Sequence, residues 1–427
     1  MQADSKKTKL VLFLIVFSDM MGFSLLFPLF PKTITHFLYS GNDPIFLLIH
    51  RWAQWLGEGG DPKFTLVLFG GILGSLYSLL QFVSAPIWGK LSDRYGRKKI
   101  LSLTTIGAVF GYILWLFSSQ FWLFVLSRVI TGCMGGNISV ASAAMADHTD
   151  EKSRAAGMGL IGAGIGLGFV TGPLLGGISS TWTFLDSYFQ SGYLVIFPAS
   201  ALLAVVVALL NYLFIQVYLP ESQPKNRNGE MIHPFLAMRR LESKHLIRIC
   251  LLNLLFLTSF SGFEFVLNFH LSELFGFPPK QIGFTFLFIG IIIIFVQGGL
   301  LRKISGKVKE KKIVFYGIVS VFVGLCLLVS MPNVALYFVA LFFMAFGAAL
   351  VNPGLSSFAS LQSRAEEQGL ALGLFRSFGS LARGLSPILF SILFFQKGPQ
   401  FTYSVSLVLL LFFWILLLST KEKETKA

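Results

Sequence analysis

The sequence predicts an all-α integral membrane protein of twelve spanning helices, arranged as two pseudo-symmetric six-helix bundles, and three observations lead there. Of 427 residues, 54% are hydrophobic and only 13% charged, with a mean hydropathy of +0.73, far too apolar for a soluble domain of this length. Apolar stretches of roughly 20 residues, the length that crosses a bilayer, centre near residues 20, 77, 109, 134, 167, 205, 258, 291, 321, 347, 381 and 410. The halves also repeat. Gly89 to Gly96 lies between spans 2 and 3 as Gly299 to Gly306 lies between spans 8 and 9, and Gly159 to Pro173 in span 5 matches Gly373 to Pro387 in span 11. A duplicated unit of this kind, with a site between its copies, is transporter architecture.

The expected division is a first bundle over 1–219, a cytoplasmic linker over 220–245 and a second bundle over 246–427. Lys6, Lys7 and Lys9 precede an apolar run that continues through Asp19 and Pro28 to about Phe30 with no small-residue cleavage site, so it reads as a retained first span. The longest outer loop, about Lys32 to Phe64, contains Trp52, Trp55 and GEGGDP, its aromatics suited to the membrane interface. Basic residues gather on the other side: the amino terminus, Lys90 to Lys99, Lys152 and Arg154, Lys225 to Arg248, Arg302 to Lys312, Arg364 and Lys421 to Lys426. By the positive-inside rule both termini are cytoplasmic. The linker opens polar (PESQPKNRNGE) and turns amphipathic from Phe235 through Leu241, as a helix lying on an anionic membrane surface does.

The net charge of +14 is a topology signal spread over short loops, which excludes nucleic acid as the expected partner. Cys133, Cys250 and Cys326 all fall in apolar runs and give neither a disulfide framework nor a metal or redox spacing. No cofactor is expected, and no GxxxxGK[ST] loop stands in the sequence to hydrolyse nucleotide. The sequon at Asn137 lies inside a span and is no glycosylation acceptor.

Span 5 reads GLIGAGIGLGFVTGPLLGG, placing Gly159, Gly168, Gly172, Pro173, Gly176 and Gly177 at fixed spacing. Small residues let a second helix approach closely, and the Gly-Pro step marks where the rod can kink. The connection GKLSDRYGRKK, between spans 2 and 3, has Gly89 and Gly96 for tight turns, and Asp93 as an acid among the cations Arg94, Arg97, Lys98 and Lys99.

These residues resemble the major facilitator superfamily, whose signature between helices 2 and 3 is GxxxDRxGRK. Span 5 is similar to the glycine-proline signature of its drug and proton antiporters. DMMGFSLLFPLFP, Asp19 to Pro31, resembles the DxxGxGxxxPxxP pattern of the tetracycline-exporter-like branch, with Ser24 in place of the second glycine. RVITG, Arg128 to Gly132, is similar to the RxxqG signature, with Thr131 for glutamine. The likeness continues through FSGFEF around Glu264 and SLARGLSP in span 11 and covers nearly the whole chain. It implies that Asp93 sits against the start of span 11, that Arg97 pairs with an acid ending span 4, here Asp147, and that Arg128 takes part in proton coupling. Lys303 stands where Asp93 stands in the first half, so the cytoplasmic latch is expected on one side only.

The intramembrane charges agree with this from their own chemistry. Asp19 lies near the middle of span 1, where an ionised carboxylate is costly unless it faces water or a partner; it is therefore a candidate proton carrier, or else structural glue between helices. Arg128 shares a small-residue stripe with Gly132, Gly135 and Ser139 and, being permanently charged, serves to tune a carboxylate or hold an anion. Arg376 and Arg383, seven residues apart, share a face of span 11 with Ser380 and should line an aqueous cavity. Arg376 replaces a common glutamine of the family and hints at an anionic substrate. Glu264 is a second titratable candidate, and His270 is expected at the interface, with no metal-ligand cluster around it. Gln81, Asn137, Asn268, Gln297 and Asn352 read as interhelical hydrogen-bonding groups.

The expected function is secondary active transport: a monomer in the cell membrane that exports an amphipathic small molecule or drug in exchange for protons, with the proton gradient as its energy source and alternating access as its mechanism. A lipid, lysolipid or organic-anion transporter on the same fold is the alternative, and a non-transporting receptor a more distant one. No HExxH, GxSxG or CxxC arrangement suggests an enzyme.

Overall fold

The computed structural model describes residues 2–40, 43–56, 62–149, 151–185, 196–221, 244–304, 307–330, 333–362 and 368–420. They are almost wholly helical, and no strand occurs among them. Eleven helical stretches are long and apolar enough to cross a membrane, the last of them, Gly373–Ser419, long enough for two crossings. That last helix bends at Gly398, whose φ of 81° is non-helical, so it carries both of the final spans. All twelve expected spans therefore have their helix. The linker over 222–243 lies outside the described residues.

The chain divides into two compact units, Met1–Met231 with Leu271–Leu287, and Ile232–His270 with Phe288–Ala427. In the first, α1 (Gln2–Ser24) ends ahead of Pro28 in a short 3-10 turn, Phe27–Leu29, and α2 (Phe30–Ser40) resumes the rod. Proline cannot supply the amide that an uninterrupted helix would use there. The expected outer loop is in part a helix, α3 (Pro44–Leu56). Asp43 caps it, accepting hydrogen bonds from the amides of Ile45 (2.9 Å) and Phe46 (3.1 Å). Phe46 then stacks on Phe69 and meets the edge of Phe121.

The helices α4 (Pro62–Tyr95) and α5 (Arg97–Leu116) are joined by Gly96 alone. Its φ of 102° is a conformation that side chains disfavour. The expectation of a loop with two glycine turns is thus corrected: Gly89 lies within α4, close against Ser139, and only Gly96 turns the chain. The helical ladder already has its period at Gly89, so no turn is required.

Span 4 is not one rod. It comprises α6 (Phe121–Cys133), a turn over 134–136 and α7 (Asn137–Asp147). Groups from α4 supply donors at the break: the Ser84 hydroxyl donates to the Gly132 carbonyl (3.3 Å) and the Trp88 indole to the Cys133 carbonyl (2.7 Å). A break in lipid is tolerable only when its backbone groups are satisfied in this way. The small-residue stripe read through Gly132, Gly135 and Ser139 is accordingly interrupted.

The helix α8 (Glu151–Ser179) runs along α1 and passes through Pro173 without interruption. Gly168, Gly172 and Gly176, four apart, lie on the Phe17 and Met21 carbonyls of α1 and on that of Leu25 just beyond it, so closely that a methyl group would collide at each. Gly177 instead lies against Pro279 and Gly283, while Gly159 faces open space. The sixth span is α9 (Pro198–Tyr218).

Further along the chain, α10 (Lys244–Phe275) precedes α11 (Pro279–Phe295), which widens into a π-helical turn at Val296–Leu301 before the short α12 (Arg302–Ile304). The pair α13 (Glu310–Val329) and α14 (Val334–Gln362) packs through glycines on both helices, Gly317 against Gly347 and Gly324 against the Ala340 carbonyl. The chain closes with α15 (Gln368–Ser419). Here Asn253 of α10 donates to the Phe375 carbonyl (2.8 Å).

Candidate functional site

Asp19 sits on α1 opposite the break in span 4. The first residue of α7, Asn137, is 2% exposed, and its amide nitrogen donates to Asp19 Oδ1 at 3.0 Å. The amide oxygen of Asn137 accepts from the Thr104 hydroxyl of α5 at 2.5 Å. Asp19 Oδ2 is buried and has no hydrogen-bond partner among the described residues. A buried acceptor left so carries a penalty of about 1–3 kcal/mol, more for a charge.

Arg128, on α6, is 3% exposed and is held by rings rather than by an acid. Its guanidinium carbon lies 5.2 Å from the Trp115 ring centre, 5.7 Å from Phe124 and 5.8 Å from Tyr112. One terminal nitrogen donates to the Ser127 hydroxyl (3.0 Å), whereas Nε is buried without an acceptor among the described residues. Cation–π contacts of this kind become worth about 2 kcal/mol when desolvated. Tyr112, one of these rings, also sets its hydroxyl against Gly22, one turn of α1 beyond Asp19.

Arg97 is buried where α4, α5 and α7 end. Its Nε donates to Asp147 Oδ2 (3.1 Å), and its terminal nitrogens meet Asp93 and the Ser92 hydroxyl. One cation thereby ties three helix ends. Arg94 lies over Tyr95 on the exposed side of the same corner.

In the second unit, Glu264 stands on α10 and Arg383 on α15. Arg383 donates to Ser380 (3.3 Å). Arg376 stands two turns earlier on α15, half-buried and next to Phe375, whose carbonyl Asn253 holds. His270 is 6% exposed and enclosed within the protein. Its Nδ1 lies 2.5 Å from the Tyr403 hydroxyl and 3.2 Å from that of Tyr337, because α14 and α15 bring two tyrosines across the end of α10.

The other polar residues divide. Gln297 reaches the Ala349 carbonyl at 3.5 Å, a contact between helices. Asn268 instead donates to Glu264 O in its own helix, and Gln81 Nε2 is buried without a partner among the described residues. No group of three His, Cys, Asp or Glu suited to a metal occurs among the described residues. Sequence reasoning missed Thr104, Tyr112 and the grouping of Asn137 with Asp19. An asparagine directly after paired glycines in the middle of an apolar span was the available signal.

Twelve apolar spans, a carboxyl and a guanidinium at membrane depth and a basic helix corner together define a membrane transporter. The sequence model of the Major Facilitator Superfamily matches residues 12–387 and 304–427. The chain belongs to this superfamily. It is 31% identical over 450 residues to mouse major facilitator superfamily domain-containing protein 10, covering 98% of this chain and 94% of the relative. It is 25% identical over 420 residues to the class B tetracycline resistance protein of Escherichia coli, covering 97% and 95%. Among solved structures it superimposes on the human organic anion transporter MFSD10 (TETRAN) with a TM-score of 0.79 at 28% identity, covering 97% of this chain and 99% of that one.

Proposed function

We propose that this transporter works as a proton-coupled antiporter in the cell membrane, both termini cytoplasmic, moving an amphipathic small molecule outward as protons move inward. The observation that carries this reading is Asp19: a carboxyl at membrane depth, held on one oxygen by Asn137 and buried without a partner on the other. Such a group gains and loses a proton with a large change in its interactions, and a gradient drives transport only through that difference between states. Arg128, fixed by three rings of which Tyr112 also reaches α1 beside Asp19, supplies the positive field that changes the cost of the charge. The Arg97 knot is the cytoplasmic gate, closed while its two carboxylates hold it.

A second reading concerns the cargo. Arg376 and Arg383 on one face of α15 suit a substrate with a carboxylate or another anionic group. The human relative is an organic anion transporter, and this chain resembles it over almost its full length. An organic anion is therefore the substrate class preferred over a cationic drug.

Purified protein in liposomes enclosing a pH-sensitive dye tests both. Tetracycline, fluorescein as an organic anion and a lysolipid are added in turn. Fluorescein-driven proton movement that is lost in Asp19→Asn supports the reading. Proton flux that survives Asp19→Asn overturns Asp19 as the coupling group, and transport indifferent to Arg376→Gln overturns the anion assignment.

A further inference from the structure

We propose that Thr104 and Asn137 form a reversible hydrogen-bond relay that reads the protonation state of Asp19, with Asn137 as the residue that positions the carboxyl. The inference rests on the role given to Asp19 above and goes beyond it to residues on two other helices.

The geometry permits two complete arrangements. With Asp19 ionised, the Thr104 hydroxyl donates to Asn137 Oδ1 (2.5 Å) and Asn137 Nδ2 donates to Asp19 Oδ1 (3.0 Å). All donors run toward the carboxylate. A proton arriving on Asp19 Oδ2 would become a buried donor with no acceptor, since that oxygen has no partner among the described residues. On Oδ1 it finds one if the amide of Asn137 turns over: the acid O–H then donates to Asn137 Oδ1, and Nδ2 donates back to Thr104 Oγ1. The Thr104 hydroxyl is released from the amide and donates to the Ile100 carbonyl, already 2.8 Å away. The chain reverses direction, one proton is gained at Asp19, and none is moved along the relay. A threonine hydroxyl both donates and accepts, and a primary amide offers both at fixed spacing, so these two residue types suit such a reversal. Asn137 opens α7 at the break in span 4, where the backbone does not hold it in an uninterrupted ladder.

The groups around the relay are few. Tyr112 of α5 sets its hydroxyl against Gly22, one turn from Asp19, with Arg128 of α6 over its ring, and Tyr77 of α4 stacks on Phe23 of α1. Over 157–179, α8 has no titratable side chain, α9 has only Tyr212 and Tyr218 toward its end, and the titratable residues of α7 and its C-cap, Asp147 and His148, lie at its far end. None of these displaces the Thr104–Asn137–Asp19 order of contacts.

The test is an infrared titration of the full-length protein in lipid, with pH itself as the probe and no transported solute. The carboxylic-acid carbonyl band of Asp19 is the one missing from Asp19→Asn. In Thr104→Val, which keeps the shape of the side chain but removes its hydroxyl, the midpoint of that band should move by about half a pH unit or more, the scale of one ordinary hydrogen bond. Thr104→Ser should return it to the wild-type value, which a packing defect would not do. Thr104→Ala replaces the valine variant if the latter fails to elute as a folded monodisperse species. Coincident midpoints in wild type and Thr104→Val overturn the relay while leaving Asp19 as the proton carrier. A band that persists in Asp19→Asn, or its absence from the wild type, overturns both.

Discussion

The two units treat their buried charges differently. In the first, Asp19 is held by an amide and Arg128 by three aromatic rings, and each retains a polar atom without a hydrogen-bond partner among the described residues. In the second, the acid and the cations stand on different helices, Glu264 on α10 and Arg376 and Arg383 on α15, and Arg383 donates to Ser380. Charges kept apart by neutral groups leave the acid's protonation open to change. On the function proposed above, proton handling belongs to the first unit and the two cations of α15 to the substrate.

The sharpest break of this contrast is Asp19→Asn against Glu264→Gln. The first should reduce fluorescein-driven proton flux to background, a loss of about a hundredfold or more, and the second should lower it by roughly tenfold at most, since a general acid–base role is worth about 10²-fold and upward. Equal losses would erase the distinction. Next in size is Arg383→Ala, which loses a charge-assisted hydrogen bond to Ser380 and should destabilise the protein by about 2 kcal/mol, read as a lowered unfolding midpoint. Arg128→Lys keeps the charge but loses the flat face that stacks on Trp115, Phe124 and Tyr112, and should cost about 1–2 kcal/mol in the same measurement. The smallest effect is expected from Tyr403→Phe, about 1 kcal/mol of stability with transport retained, because it removes one of two hydroxyls facing His270. Loss of transport there would add a third charged centre to the comparison.

Much of this architecture was legible because lipid makes simple demands. Runs of apolar residues had to be helices, and Asp19, Arg128, Glu264 and Arg383 stood out as charges inside them. What surrounds those charges was not legible. Asn137 meets Asp19 across a separation of 118 residues, and nothing in either segment names the other. The break in span 4 hides because Met134, Gly135 and Gly136 are as apolar and small as a packing stripe would be. The place of His270 near a span end was legible, but not that two tyrosines more than sixty residues further along the chain enclose it. Conversely, the spacing of Gly168, Gly172 and Gly176 already marked a face for close helix approach, but neither that α1 is the partner nor that Gly159 would face open space.

The single-residue joint at Gly96 has a mechanical consequence. With no slack between α4 and α5, and with Arg97, the very next residue, fastened to the ends of α4 and α7, a tilt of any one of these rods is delivered to the other two at the same corner. The corner behaves as a knuckle rather than a hinge loop, and inserting even two or three flexible residues after Gly96 would let the rods turn independently while leaving every charge in place.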